Sequence, residues 1–230
     1  MKLSIITRCT RIDNLLEIEK SVYDDKFDHD IEWHILFDTS VLRDLPAKLV
    51  EQLSVNPYTF LHYIEGKDGD LLYPQSMEVV NKIKDRWIYY LDDDNIMHPN
   101  YYEEFKKKEN INENQYKVIV GNQYVNFKDF TGLEYRYAKA ENCKYQHIDL
   151  AQITWHSSLF ETYSFVGDYA ADGMLVETIH KEHPEYFIFL NIELCYYNYL
   201  VKKSKGFVPR IMYIGPGKPE LRSNQFTDFE

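Results

Sequence analysis

The sequence predicts an α/β fold, with a mostly parallel, doubly wound sheet flanked by helices. Two observations predict it. Short apolar runs alternate with segments of helical periodicity through the first half of the chain. The apolar runs also end repeatedly in polar or acidic residues, as strands do when they deliver side chains to a ligand-binding edge. The length of 230 residues suits one sizeable domain and leaves little room for a second.

The elements follow in order. Leu3 to Ile6 is an apolar run that ends in Thr7-Arg8, and Leu15, Leu16, Ile18 and Val22 then fall at helical spacing within Asn14 to Asp25. Ile31 to Phe37 predicts a second strand that ends at Asp38-Thr39-Ser40, and Leu45 to Leu53 a second helix. Tyr58 to Ile64 is a third strand, broken by Gly66-Lys67-Asp68-Gly69. Tyr73 to Lys84 places Met77, Val80 and Ile83 on one helical face, and the strand Trp87 to Leu91 runs into Asp92-Asp93-Asp94.

A helix is expected to open at His98-Pro99-Asn100, with Glu103 and Glu104 favourably placed in its first turns. Regular alternation then weakens near Gly121, which separates a first half (1–120) from a second (121–230) within the one domain. Tyr116 to Val120 reads as a strand. Tyr124 to Phe127 and Glu134 to Tyr137 flank Gly132 like a hairpin. Asp172 to His183 reads as a helix closed by Pro184, and Tyr186 to Leu200 as strand interrupted near Asn191. The tail from Lys202 to Glu230 holds most of the late Gly and Pro and is expected to be irregular and partly mobile.

Composition narrows the function classes. A formal net charge of -11 argues against a nucleic-acid partner, because affinity for a polyphosphate comes largely from clustered Lys and Arg. Three cysteines, Cys9, Cys143 and Cys195, lie far apart without C-x-x-C spacing, so neither a disulfide framework nor a zinc cluster is indicated. Neither a secretory h-region nor an apolar stretch of membrane-spanning length is present, which predicts a cytoplasmic protein and leaves room for peripheral contact with a membrane.

The aspartate run carries most of the chemistry. Three consecutive acids after a buried strand repel one another and resist desolvation, so a compensating cation is expected. Hard oxygen ligands suit Mg²⁺ or Mn²⁺, held by one or two carboxylates with substrate phosphates completing the shell. The plain alternative is a solvated turn that caps the following helix.

The phrase from Trp87 to Tyr102, with Leu91-Asp92-Asp93-Asp94-Asn95 at its centre, resembles the metal-site strand and following helix of family 2 glycosyltransferases of the GT-A fold. Leu3-Ser4-Ile5-Ile6-Thr7-Arg8 resembles that family's first strand and Phe37-Asp38-Thr39-Ser40 its second. The resemblance implies a GT-A-type, Rossmann-like mixed sheet and a nucleotide-sugar donor, with a UDP-sugar first and a GDP-sugar second. It implies a glycan or glycoconjugate hydroxyl as acceptor. Thr7, Arg8 and Asp38 match donor-binding positions. Asp94 matches the metal contact, Asp93 lies nearer the ribose and donor sugar, and Asp92 is either a second metal contact or a water-mediated one. Three aspartates in a row allow two registers of an Asp-x-Asp motif.

Phe165 to Met174 resembles the family's acidic segment that supplies the catalytic base. Asp172 fits that role, with Asp168 as the fallback, although Ala171 stands where the family's first acid is usual. His147 to Ser157 resembles the acceptor-side segment and offers Asp149, Gln152, Trp155 and His156. Lys202, Lys203, Lys205 and Arg210 are candidates for a basic flap over the diphosphate, or simply a solvated charge run. Together these imply inverting transfer with Asp172 as general base, while the GT-A architecture also serves retention. A nucleotidyltransferase is a rival, but its glycine-rich loop after the first strand is absent from Ile6 to Arg11. A catalytically inactive sugar- or nucleotide-binding protein of the same fold is the other.

Overall fold

The computed structural model describes residues 2–23, 30–66, 72–108, 111–112, 115–126, 133–167 and 170–200. Five α-helices are arranged about a nine-stranded sheet in these residues. The strands are β1 (Leu3–Cys9), β2 (Ile31–Asp38), β3 (Thr59–Ile64), β4 (Trp87–Tyr90), β5 (Ile96–Met97), β6 (Val118–Asn126), β7 (Leu133–Arg136), β8 (Ile153–His156) and β9 (Phe187–Tyr197). The helices are α1 (Leu15–Val22), α2 (Ala47–Ser54), α3 (Tyr73–Val80), α4 (Tyr101–Lys106) and α5 (Ala171–Glu182).

Their order across the sheet is β3-β2-β1-β4-β8-β6-β9-β5, with β7 paired on β6. The first four strands are mutually parallel. Strand β8 is antiparallel to both β4 and β6, and β9 runs parallel to β6. This is the mixed, mostly parallel sheet expected from the GT-A resemblance. The carboxyl ends of β1, β2 and β4 lie on one edge, and the reversed β8 brings its amino end to the same edge.

Strand alternation divides the core in two. Leu3, Ile5, Trp33, Ile35, Phe37, Trp87, Tyr89 and Leu91 pack with residues of α1 and α4. Ile6, Leu36, Ile88 and Tyr90 pack with residues of α3 and α5. Thus the two-residue period determines which side chains of β1 and β4 meet which helices.

Three differences from the sequence-based expectation stand out. Strand β1 continues to Cys9, so Thr7 lies within it rather than at its end. Strands β5 and β8 were not expected. Tyr124 to Asn126 forms the end of the longer β6, still antiparallel to β7 with Tyr124 opposite Tyr135. The expected interruption near Asn191 is a bulged stretch: Val120 pairs with Phe189 but Asn122 with Glu193. Gly121 sits at this irregularity, where a Cβ would lie 2.6 Å from Leu194 Cδ2. Gly132, Asp168 and the proposed basic flap at Lys202, Lys203, Lys205 and Arg210 lie outside the described residues.

Candidate active site

The aspartate segment leaves β4 and is anchored from several sides. Leu91 N–H donates to Ile6 O at 2.9 Å, and the Asn95 N–H closes the turn on Asp92 O at 3.0 Å. Asn14 Nδ2 donates to Asp93 O at 2.7 Å. The far end of β9 completes the hold: Asn198 N–H donates to Asn95 Oδ1 at 2.8 Å and Leu200 N–H to Asp94 O at 2.9 Å. A loop so anchored presents its carboxylates in set directions.

Those directions differ for each aspartate. Asp92 turns toward Arg8, whose Nη2 lies 2.7 Å from Asp92 Oδ1 and 2.9 Å from Oδ2, with Nε 3.0 Å from Oδ1. The guanidinium carbon of Arg8 lies 3.8 Å from the centroid of the Tyr73 ring, a cation-π contact at the start of α3. Arg8 is on the face shared by Ile6 and Tyr90, which places it toward α3 and α5.

Asp93 points the other way and is almost fully buried. Its Oδ2 accepts from the Thr10 and Arg11 backbone N–H groups and from Thr10 Oγ1, and its Oδ1 from Arg11 Nη1. Sequence reasoning placed Asp93 near the ribose and sugar. In the structure its carboxylate is taken up in fastening the loop after β1 to the loop after β4.

Asp94 is mostly buried, and Arg11 Nη1 lies 3.1 Å from its Oδ2. Desolvation, helped by the charges of Asp92 and Asp93 and opposed by Arg11, raises its carboxyl to about 7.

Asp172 occupies the second position of α5. Ala170 is the N-cap and makes no side-chain cap bond, so the simple capping role does not describe Asp172. Its Oδ1 accepts from Gly173 N–H at 2.7 Å and its Oδ2 from Leu150 N–H at 3.0 Å. Gly173 lets α5 pack close to the Tyr145–Gln146 backbone, where a Cβ would lie 3.1 Å from Gln146 N. Burial raises the Asp172 carboxyl, with the Gly173 N–H and the positive charge of Arg8 acting against the rise and Asp92 adding to it. Arg8 therefore stands electrostatically between the aspartate loop and α5.

Asp149 joins the same cluster. It caps the short 3-10 turn Leu150–Gln152 through Ala151 N–H at 2.9 Å. Desolvation and the Asp172 charge raise its carboxyl to about 7, while hydrogen bonds from Ala151 N–H and the Tyr197 hydroxyl act against the rise.

The structure turns four expected residues away from this edge. Thr7 is fully buried on the α1 side, its hydroxyl accepting from Trp33 Nε1 at 2.8 Å. Gln152 is at the correct end of β8, but it is buried and its amide donates to Gly121 O at 3.3 Å. Trp155 is core, packed near Phe160 and Phe165. His156 pairs with Trp87 at the start of β4, opposite the aspartates, and its Nδ1 meets Ser158 Oγ at 2.8 Å. The antiparallel direction of β8 carries both Trp155 and His156 away from the acceptor side expected for them. Asp38 does end β2 on the ligand edge, partly exposed and so close to Gly66 that a Cβ there would lie 2.2 Å from Asp38 Oδ2.

Arg11, Tyr73 and Tyr197 were not assigned site roles from sequence. A lone Arg in an apolar strand needs a buried partner, and a second Arg in the following loop adjoins it. That signal could have found Arg11.

Among the described residues, no group of three or more His, Cys, Asp and Glu side chains converges as a ready-made metal shell. Nor is any helix among the described residues long and apolar enough to cross a membrane. The donor set at β4 still fits a divalent ion held mainly by substrate: Asp94 is a desolvated carboxylate raised to about 7, which a nearby cation would ionise.

Neither a protein-family description nor a curated protein sequence matches the chain. Solved structures do. Residues 1–349 of TarS from S. aureus align with a TM-score of 0.62 at 12% identity, over 86% of this chain and 60% of that one. The same TarS fragment in complex with UDP aligns with a TM-score of 0.60 over 85% of this chain and 60% of that one. Its complex with UDP-GlcNAc also gives 0.60, over 85% and 58%. Both complexes are 12% identical to this chain. The chain thus spans about three fifths of the TarS fragment, and the likeness establishes a shared fold.

Proposed function

We propose that this protein is a glycosyltransferase that moves a sugar from a UDP-sugar to a hydroxyl of a glycan or glycoconjugate, with inversion. The observation that carries the reading is the meeting of two acidic elements at one sheet edge, Asp92 to Asp94 after β4 and Asp172 at the start of α5, with Arg8 between them. Likeness to a fold seen with UDP and UDP-GlcNAc bound supports the choice of UDP over GDP as the nucleotide. Domain organisation follows: 1–120 as the donor half and 121–230 as the half that carries the base.

Asp38, at the end of β2, accepts hydrogen bonds from the base or ribose of the donor. Asp94 would hold a divalent ion, Mn²⁺ or Mg²⁺, and Asp92 is the candidate second carboxylate. When bound, that ion neutralises the diphosphate and makes it a better leaving group. Arg8 keeps Asp92 oriented and adds positive charge beside the departing phosphates.

Asp172 receives the proton of the acceptor hydroxyl. The acceptor oxygen forms its bond to the anomeric carbon as the bond from that carbon to the diphosphate oxygen breaks, and UDP leaves with the electron pair. Two backbone N–H donors orient the Asp172 carboxylate, and its partial desolvation strengthens it as a base.

Thermal melting with UDP, GDP, dTDP or CMP, each with and without Mn²⁺, tests this reading. UDP with Mn²⁺ is expected to give the largest rise. At 100 times Kd a ligand adds about 2.7 kcal/mol to stability, which suffices to shift the melt of a chain of this size by several degrees. If no nucleotide stabilises the protein in a metal-dependent way, the proposal fails.

A further inference from the structure

We propose that Arg11 is a built-in competitor of the divalent ion at Asp94, and that a donor's diphosphate relieves the competition by drawing the Arg11 guanidinium to itself. Metal and nucleotide then bind cooperatively through a side chain of the protein, in addition to their direct contact. This rests on the reading of Asp94 as the metal-holding carboxylate.

The two arginines beside the aspartates are built differently. Arg8 is 8% exposed, stacked on Tyr73 and bound to Asp92 through two nitrogens, so it is fixed. Arg11 is 47% exposed and reaches both Asp93 and Asp94 with one nitrogen, Nη1. A half-exposed guanidinium on a long stem is free to change partners at small cost in packing.

Its two partners also differ in what they would lose. Asp93 keeps three further donors, the Thr10 and Arg11 backbone N–H groups and the Thr10 hydroxyl, if the Arg11 side chain departs. Asp94 has the Arg11 ion pair at 3.1 Å as its side-chain partner among the described residues. Removing Arg11 therefore leaves the loop fastened and Asp94 without its counter-charge. The vacated carboxylate would favour another cation, and a carboxylate oxygen suits a hard divalent ion.

The diphosphate is the natural agent of release. A guanidinium forms two-pronged hydrogen bonds with phosphate oxygens, and these are stronger than a single contact to a carboxylate. Arg8 pairs with Asp92, while Asp93 and Asp94 share Arg11. A divalent ion at Asp94 replaces the shared guanidinium, and the diphosphate offsets the positive charge that the ion brings.

The test is a Mn²⁺ titration of the full chain followed by electron paramagnetic resonance, which counts free Mn²⁺ and needs no turnover. Kd is measured for the wild type and for Arg11→Gln, with and without UDP. Without UDP, Arg11→Gln is expected to bind Mn²⁺ at least fivefold more tightly than wild type. UDP should then strengthen Mn²⁺ binding by a smaller factor in the variant than in the wild type.

Arg11→Lys keeps a charge but loses the fork, and should fall between the two. It carries the comparison if the Gln variant does not fold. Mn²⁺ binding by Arg11→Gln that is unchanged or weaker overturns the competition while leaving the metal site standing. Absence of Mn²⁺ binding by the wild type, with and without UDP, overturns both the competition and the metal reading.

Discussion

Arg8 grips Asp92 from 84 residues away, with Nη2 at 2.7 and 2.9 Å from the two carboxylate oxygens. One partner lies near the end of the first strand of the sheet and the other follows its central strand, so the pair joins two neighbouring strand ends. Removing only one member of a buried pair strands the other charge. Arg8→Met is therefore expected to cost about 3 kcal/mol in a urea titration. The double variant Arg8→Met, Asp92→Leu should recover part of that loss, because neither charge is then left buried. Equal loss in the single and double variants would show that the pair is not the source.

Asp172→Asn tests the base. The amide oxygen can still accept from Leu150 N–H, so the fold and nucleotide affinity should survive. Transfer should fall by a factor on the order of 10² to 10⁴, the usual scale of general-base help. Full transfer by a variant that still binds UDP would remove Asp172 from the mechanism.

Asp94 and Asp149 predict how stability depends on pH. Both carboxyls are raised to about 7, above the value of about 4 expected for Asp in an unfolded chain. Between these values the folded protein binds more protons than the unfolded one. The stabilisation is full below about pH 4 and is lost as pH rises through about 7. Without added metal, the contribution of these groups should lower the melting temperature at pH 8 relative to pH 6. Asp149→Asn should flatten the difference, and a slope unchanged in that variant would count against a raised Asp149.

At Gly66 a methyl group would displace the Asp38 carboxylate, which the contact of 2.2 Å does not tolerate. The flexible end of Asp38 can turn away, so Gly66→Ala should leave stability within about 1 kcal/mol. UDP affinity measured by calorimetry should nevertheless drop about tenfold, the equivalent of losing one hydrogen bond to a charged group. Undiminished affinity would exclude Asp38 from nucleotide binding.

His156 offers the converse. It ends β8 opposite the start of β4, its ring against Trp87 at a centroid distance of 5.4 Å. His156→Ala should lower stability by about 1 to 2 kcal/mol through lost packing, with UDP binding unaltered. Weakened UDP binding in a fully folded variant would return His156 to the site.

Much of the fold of the first half was legible in the sequence. The first four βα units announce themselves through period, and the acids that follow β2 and β4 stand where strand ends must be. Face assignment was not read: Thr7 and Arg8 were expected together, and the structure puts them on opposite faces of β1. The second half was harder. Ile153–His156 is four buried residues without alternation, and no local signal says that it inserts antiparallel between β4 and β6. That reversal removed Trp155 and His156 from the ligand edge. The partnership of Arg8 with Asp92 was likewise hidden, because the sequence shows two charged types and not the ion pair between them.

The position of β8 in the sheet has a consequence for the order in which the protein assembles during synthesis. Strands β1 to β4 are complete once the first third of the chain or a little more has emerged, yet β4 then has one uncovered side. Its other neighbour is made only after the β6 and β7 hairpin, and α5 with Asp172 later still. Pairings between strands so far apart in sequence are slow to close and expose a bare strand edge while they wait. A nascent chain ending before Ile153 should thus already carry its aspartates while offering β4 to any other strand it meets. The hold of Asn198 and Leu200 on the aspartate loop would then be a late step of folding, made only when the second half has joined the first.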